Sequence, residues 1–176
     1  MSAGPESEET IAAGSTAPSS RVPTAECLTL LDRGDVHAAL GVLNARTRFR
    51  FTAVYEVEGA LLRNLGLYDR ENPALNLAGG ACDLDESYCT FIAATGSAFA
   101  TADSHTDLRL HGHPRRETVL SYAGVPIRSS SGRLVGTLCH YDGRPRFVDA
   151  VELRALEAVA PSFAAWLGGG NRNAPT

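Results

Sequence analysis

The stretch "VLSYAGVPIRSSSGRLVGTLCHYD", Val119 to Asp142, decides how the chain is read. Two largely apolar runs, "VLSYAGVPIR" and "RLVGTLCHYD", flank the polar link "SSSG". Serine and glycine suit a turn, since the hydroxyl can bond to nearby backbone and glycine tolerates a left-handed conformation. The pair therefore reads as an antiparallel hairpin. Side chains alternate across a strand, so Cys139 shares a face with Thr137 and Tyr141, opposite Leu138 and His140.

Upstream, "RFRFTAVYEVEG" sets Phe49, Phe51, Ala53, Tyr55 and Val57 against Arg50, Thr52, Val54 and Glu56. That alternation reads as a strand, and Glu58-Gly59 turns it into a second one, "ALLRNLGLYDR". Asn-Pro and Gly-Gly then mark an irregular connection. "LDESYCTFIAAT" opens with acidic residues that favour a short helix, and "SAFATAD" reads as a short strand ending at Asp103. At the front, Leu28, Leu31, Val36, Leu40 and Leu43 recur at helical spacing, with Thr24 able to cap the segment and Gly34-Asp35 dividing it. At the back, Leu153, Leu156, Val159, Phe163 and Trp166 do the same before "GGG". Hairpins between terminal helices predict an α+β fold, an antiparallel sheet covered by helices.

The chain has 176 residues, 44% of them hydrophobic, which suits one domain with a full core. Residues 1–22 are rich in Ser, Ala, Gly, Pro and Glu and read as a disordered tail. The domain is expected over 23–168, with 169–176 flexible. No apolar run is long enough to cross a bilayer, and "MSAGPESEET" lacks the features of a secretory signal. The expectation is a cytoplasmic protein without membrane contact. A net charge of −4 disfavours a nucleic-acid surface. The absence of lysine excludes Schiff-base chemistry. Cys27, Cys82, Cys89 and Cys139 form no C-x-x-C pair, which argues against zinc-finger and thioredoxin-like sites. In a reducing compartment they are expected as thiols. There is no P-loop, no G-x-G-x-x-G and no convincing Ser-His-Asp order, so no catalytic residue and no cofactor is assigned.

The densest polar stretch is "DSHTDLRLHGHPRRE", Asp103 to Glu117, which holds three of the five histidines. Arg109, Arg115 and Arg116 balance Asp103, Asp107 and Glu117. A strong cation site would want an excess of carboxylate or thiolate, so no metal is expected here. An anion needs only one inward donor. Arg109 is the expected one, because Leu108 and Leu110 flank it and should pin the loop by burial. Arg115 and Arg116 are expected in solvent.

In order, "SYCTFI", "TAD", "TDLRLHGHP", "LSYAGVPI", "GTLCHYDGRPRF" and the closing helix resemble bacterial GAF domains, over Thr24 to Leu167. The resemblance implies a sheet of about six strands, with terminal helices on one face and a loop-covered small-ligand pocket on the other. It makes Asp103 to Glu117 the cover of that pocket and implies a sensing role exerted through a signalling partner protein. The expected pocket residues are Tyr55, Cys89, Asp103, His105, Arg109, His113, Tyr122 and Cys139. Tyr55 and Tyr122 would give aromatic walls with polar tips. Arg109, His105 and His113 would donate to a small polar or anionic ligand, and Asp103 would orient a neighbouring donor. Cys89 and Cys139 would be small wall residues.

Terminal helices of this family are often shared between subunits, so a homodimer is expected through the two apolar stripes, unless the sheet uses them. Two other readings stay open. One is a cysteine-based redox enzyme or sensor resembling the free methionine sulfoxide reductases. Where those carry a cysteine, however, this chain has "HGHPRRETVLSYAG". The other is a purely structural dimerisation module. A bilin site is not expected, since Cys139-His140 lies in the strand after "GVPI" rather than on a preceding helix.

Overall fold

The computed structural model describes residues 24–169. The expected disordered tail (1–22) and the C-terminus from residue 170 lie outside the described residues. The elements run α1 (Thr24–Asp32), α2 (Val36–Asn44), β1 (Phe51–Glu58), β2 (Leu61–Asp69), β3 (Ala81–Asp83), α3 (Cys89–Thr95), β4 (Phe99–Thr101), β5 (Ser121–Arg128), β6 (Leu134–Asp142) and α4 (Ala150–Gly168). Six strands form one antiparallel sheet in the order β3-β2-β1-β6-β5-β4. Both expected hairpins are present, and β1 joins them by pairing with β6, Ala53 opposite Cys139.

Local chemistry sets the element ends. Gly34 takes φ 78° between α1 and α2, and the Asp35 carboxylate accepts from Ala38 N at 3.0 Å to start α2, as an N-cap should. In β2 the register with β1 jumps from Val54↔Gly66 to Tyr55↔Asn64. The extra residue, Leu65, reverses the alternation, which is how Leu62 and Leu67 come to pack on the same face. At Gly66 a Cβ would stand 2.9 Å from Leu40 Cδ1 and 3.2 Å from a Val54 methyl. Glycine there lets α2 lie close on the sheet.

The sheet separates two apolar layers. On one side Leu31, Leu40, Leu43, Leu156, Val159 and Phe163 cover Val54, Val125, Ile127 and Leu138. Fully burying each such side chain stabilises by about 1.5–3 kcal/mol. On the other, Tyr88, Cys89, Ile92, Phe99 and Leu110 cover Ala53, Leu62, Tyr122 and Cys139. The alternation read from "GTLCHYD" holds, with Leu138 and Cys139 in opposite layers.

Of the terminal stripes named for a dimer, Leu31, Leu40, Leu43, Leu156, Val159, Phe163 and Trp166 are buried in the layer on the chain's own sheet. Two expectations change. A third strand beside β2, only three residues long, escapes the sequence pattern. In the cover loop Leu110 is buried as expected, but Leu108 is 88% exposed. The two flank Arg109 in a 3-10 turn, so burying one does not bury the other.

His140 lies away from the pocket. Its Nδ1 is 2.7 Å from Thr52 Oγ, which accepts from Asn44 Nδ2 at 2.8 Å. Its ring stacks on Phe49 at 5.9 Å. Nearby, Arg50 grips Asp69 through two bonds of 2.8 Å. The Asp142 carboxylate takes bonds from Arg50 N, Arg144 N and Arg146 Nε, tying β6 to the start of β1. Among the described residues no helix is long and apolar enough to cross a membrane.

Candidate ligand-binding site

At the centre of the second face, β1 and β6 set two small residues opposite each other, Ala53 and Cys139. Tyr55 and Tyr141 rise on either side. Above them is a cavity of about 230 Å³. Its floor and walls come from Tyr55, Tyr122, Cys139 and Tyr141 on the strands; its roof comes from Ser87, Tyr88, Arg115 and Val119. Four of the chain's five tyrosines therefore face one space. Tyrosine suits that place, since its ring packs like an apolar wall while its hydroxyl still bonds.

The roof is fastened at several points. Tyr88 is buried and donates to the Val119 carbonyl at 3.0 Å. Its ring meets Tyr122 edge-on at 5.7 Å and His113 at 4.7 Å. Ser104 Oγ donates to the Arg116 carbonyl at 2.7 Å, and Arg116 donates to the His105 carbonyl at 2.8 Å. Arg116 is thus a clasp across the loop rather than a solvated side chain.

Behind the floor sits Cys89, fully buried at the start of α3. Thr137 Oγ donates to its sulfur at 3.2 Å, and the Tyr122 hydroxyl lies 3.3 Å away. The Cys139 thiol foremost, with Thr137 and Tyr122, holds the Cys89 thiol below its ordinary range against the effect of burial. Burial and the neighbouring Cys89 push Cys139 up. Burial likewise raises Tyr55 and Tyr122, and pushes Tyr141 up to about 12. The cavity's phenols therefore stay protonated and able to donate.

Of the residues expected from sequence, Tyr55, Tyr122 and Cys139 line the cavity, and Cys89 supports its floor. His113 stands behind Tyr88 and Phe91, held below its ordinary pKa mainly by burial. The other three lie on the outer side of the loop. Asp103 accepts from His105 N at 3.0 Å. His105 is half-exposed and meets Glu117 at 3.0 Å.

Arg109 is the clearest correction. Its guanidinium grips Asp107 at 2.9 and 2.5 Å, donates to the Ala100 carbonyl at 2.8 Å and lies 4.5 Å over the Phe99 ring. The carboxylate two residues upstream intercepts it, and Asp107 is in turn held down to about 2 by that bond. The cation at the cavity is Arg115, whose Nε donates to the Glu86 carbonyl at 3.1 Å. Sequence reasoning also missed Ser87, Tyr88 and Tyr141. Strand alternation had already set Tyr141 on the face of Cys139, but nothing local marked Arg115. Among the described residues no group of three or more His, Cys, Asp or Glu side chains is placed to hold a metal ion.

The model of the GAF domain matches residues 36–165. The chain belongs to the GAF domain family. Solved GAF domains share its fold. One, from an Acinetobacter phosphoenolpyruvate-protein phosphotransferase, is 10% identical with a TM-score of 0.67, covering 86% of this chain and 93% of its own. The free methionine-R-sulfoxide reductase of Neisseria meningitidis, solved with its substrate, is 14% identical with a TM-score of 0.66, covering 86% and 89%. A GAF sensor protein of Burkholderia vietnamiensis, described as putative, is 16% identical with a TM-score of 0.62, covering 80% and 88%. No curated protein sequence matches the chain. At these identities the likeness shows the fold, and the site must be argued from this GAF domain's own residues.

Proposed function

We propose that this GAF domain senses a small molecule with an anionic group and a flat or apolar body, and signals its presence to a partner protein through the cover loop. One observation carries the reading: four tyrosines and one arginine converge on a single cavity. Arg115 makes no ion pair with a carboxylate among the described residues. Its remaining N–H groups can hold a carboxylate or phosphate, a charge-assisted bond stronger than a neutral one. The tyrosine rings supply apolar area, and their hydroxyls can orient polar atoms on the ligand. The exposed Leu108 on the outer side of the same loop is a contact a partner can read.

This reading places the anion on Arg115 and leaves Arg109 as a surface clasp. A native mass spectrum of the protein purified from its host, paired with melting curves, tests it. A retained small molecule should be lost in Arg115→Ala and kept in Arg109→Ala. The Arg115 change should weaken ligand-dependent stabilisation by about 1.5–3 kcal/mol. An empty wild-type spectrum, with no melting shift from small aromatic carboxylates, contradicts the proposal. The reductase reading is less well supported, because the cover loop of this chain carries histidines and no cysteine.

A further inference from the structure

We propose that Cys89 and Cys139 are a modification site, a dithiol that a small hydroperoxide entering through the cavity converts to an internal disulfide. The two thiols come from α3 and the middle of β6 and pack in one buried layer with Tyr88 and Tyr122. The Tyr122 hydroxyl lies 3.3 Å from the Cys89 sulfur, and Cys139 pairs on β5 with Gly124, the residue against which that tyrosine lies. Thr137 donates to Cys89 at 3.2 Å. Cys139 borders the cavity and Cys89 lies behind it, and both are buried.

The other two cysteines differ. Cys27 is buried among the helix-side residues, and its thiol is pushed up to about 11 by burial. Cys82 lies partly exposed on the edge strand β3, where burial also raises it. In the central pair, Thr137 and Tyr122 gather on the Cys89 sulfur and favour its thiolate, while Cys139, raised by burial, holds the proton and borders the cavity.

The chemistry follows from that division. As the Cys139 sulfur attacks the hydroperoxide, its proton passes to Cys89. A sulfur–oxygen bond forms, the oxygen–oxygen bond breaks, and the departing alkoxide takes up the proton released when the dithiol first ionised. The Cys89 sulfur then attacks the Cys139 sulfenic acid. The sulfur–sulfur bond forms, the sulfur–oxygen bond breaks, and hydroxide leaves as water with the Cys89 proton. Two thiols and one hydroperoxide give a disulfide, an alcohol and water, a two-electron oxidation of sulfur. The disulfide shifts the sulfur that accepts from Thr137 and alters the cavity floor. The reaction needs no bound ligand, so it stands apart from the sensing proposal.

The test treats the full chain, and a Cys82→Ser variant of it, with equimolar hydrogen peroxide and then tert-butyl hydroperoxide. Remaining thiols are alkylated and the peptides mapped by mass spectrometry. The expected product is lighter by about 2 Da, links the Cys89 and Cys139 peptides, reverts with dithiothreitol and leaves Cys27 alkylated. Linkage through Cys82, sulfinic acids without linkage, or both central thiols surviving a dose that oxidises Cys82 overturns the proposal. Tyr122→Phe keeps the ring and should slow the linkage severalfold; an unchanged rate overturns the positioning role given to the hydroxyl.

Discussion

The hydroxyl of Tyr122 occupies the place where a side chain on Gly124 would begin. A Cβ built on Gly124 would stand 2.5 Å from that oxygen and 2.7–2.8 Å from the ring carbons beside it. The two residues share a face of β5, and Gly124 pairs with Cys139 on β6. The tyrosine can thus lie flat along the strand and reach Cys89, 3.3 Å away. The "YAG" of the sequence therefore has a steric cause: the glycine makes the groove that the tyrosine fills.

Gly124→Ala should force Tyr122 out of that groove. The expected cost is about 1–3 kcal/mol, typical of overpacking a filled core, read from urea denaturation. Joining it with Tyr122→Phe should cost less than the sum of the two changes, because the shorter ring relieves part of the same clash. Strict additivity would show that the contact does not govern stability.

His140 gives the fold an acid sensitivity. Burial lowers its pKa from 6.5 to about 3, so the folded state holds the neutral ring while the unfolded chain takes up a proton. Its contribution is fully present above pH 6.5 and is lost as pH falls towards 3, at up to about 1.4 kcal/mol per pH unit. His140→Gln should flatten the stability curve across that window. Urea midpoints measured from pH 7 to pH 4 check this, and parallel curves for the two proteins would refute it.

Asp69 acts in the same direction, lower on the scale. The Arg50 guanidinium beside it holds its carboxyl well below the usual range. The pair therefore stabilises the fold above the ordinary carboxylate pKa and fades as pH drops below it. Asp69→Asn should cost about 1–2 kcal/mol at pH 7, kept modest because Arg50 is 34% exposed and solvent screens it. The deficit should shrink towards pH 3. A deficit independent of pH would assign the loss to packing.

The sheet was legible because a half-buried strand must alternate. "TAVYEVE" and "GTLCHYD" place Ala53, Tyr55, Cys139 and Tyr141 on one face by parity alone, and the structure keeps them there. β3 was not legible, since three residues are too few for a period. Nor was the extra residue at Leu65, which reverses parity inside a run that reads as regular. The site was legible on its strands and less so in its loop. Arg109 and Arg115 have the same chemistry. What separates them is a carboxylate two residues away for one, and for the other a carbonyl at Glu86, far along the chain. Spacing cannot express the second.

The cover loop yields the last prediction, since its two leucines differ in burial by nearly the full range. Leu110 is 0% exposed and packs in the layer with Tyr88, Ile92 and Phe99, whereas Leu108 is 88% exposed. Leu110→Ala removes buried methyls beside the cavity and should cost about 2–5 kcal/mol. It should also loosen the segment that Ser104 and Arg116 clasp, so amide exchange should quicken from 104 to 119 before it does in β1 or β6. Leu108→Ala should leave stability within about 0.5 kcal/mol of wild type and exchange unchanged, while weakening any partner that reads the loop. Equal losses from the two changes would mean that Leu108 packs in solution, and would remove the loop as the readable surface.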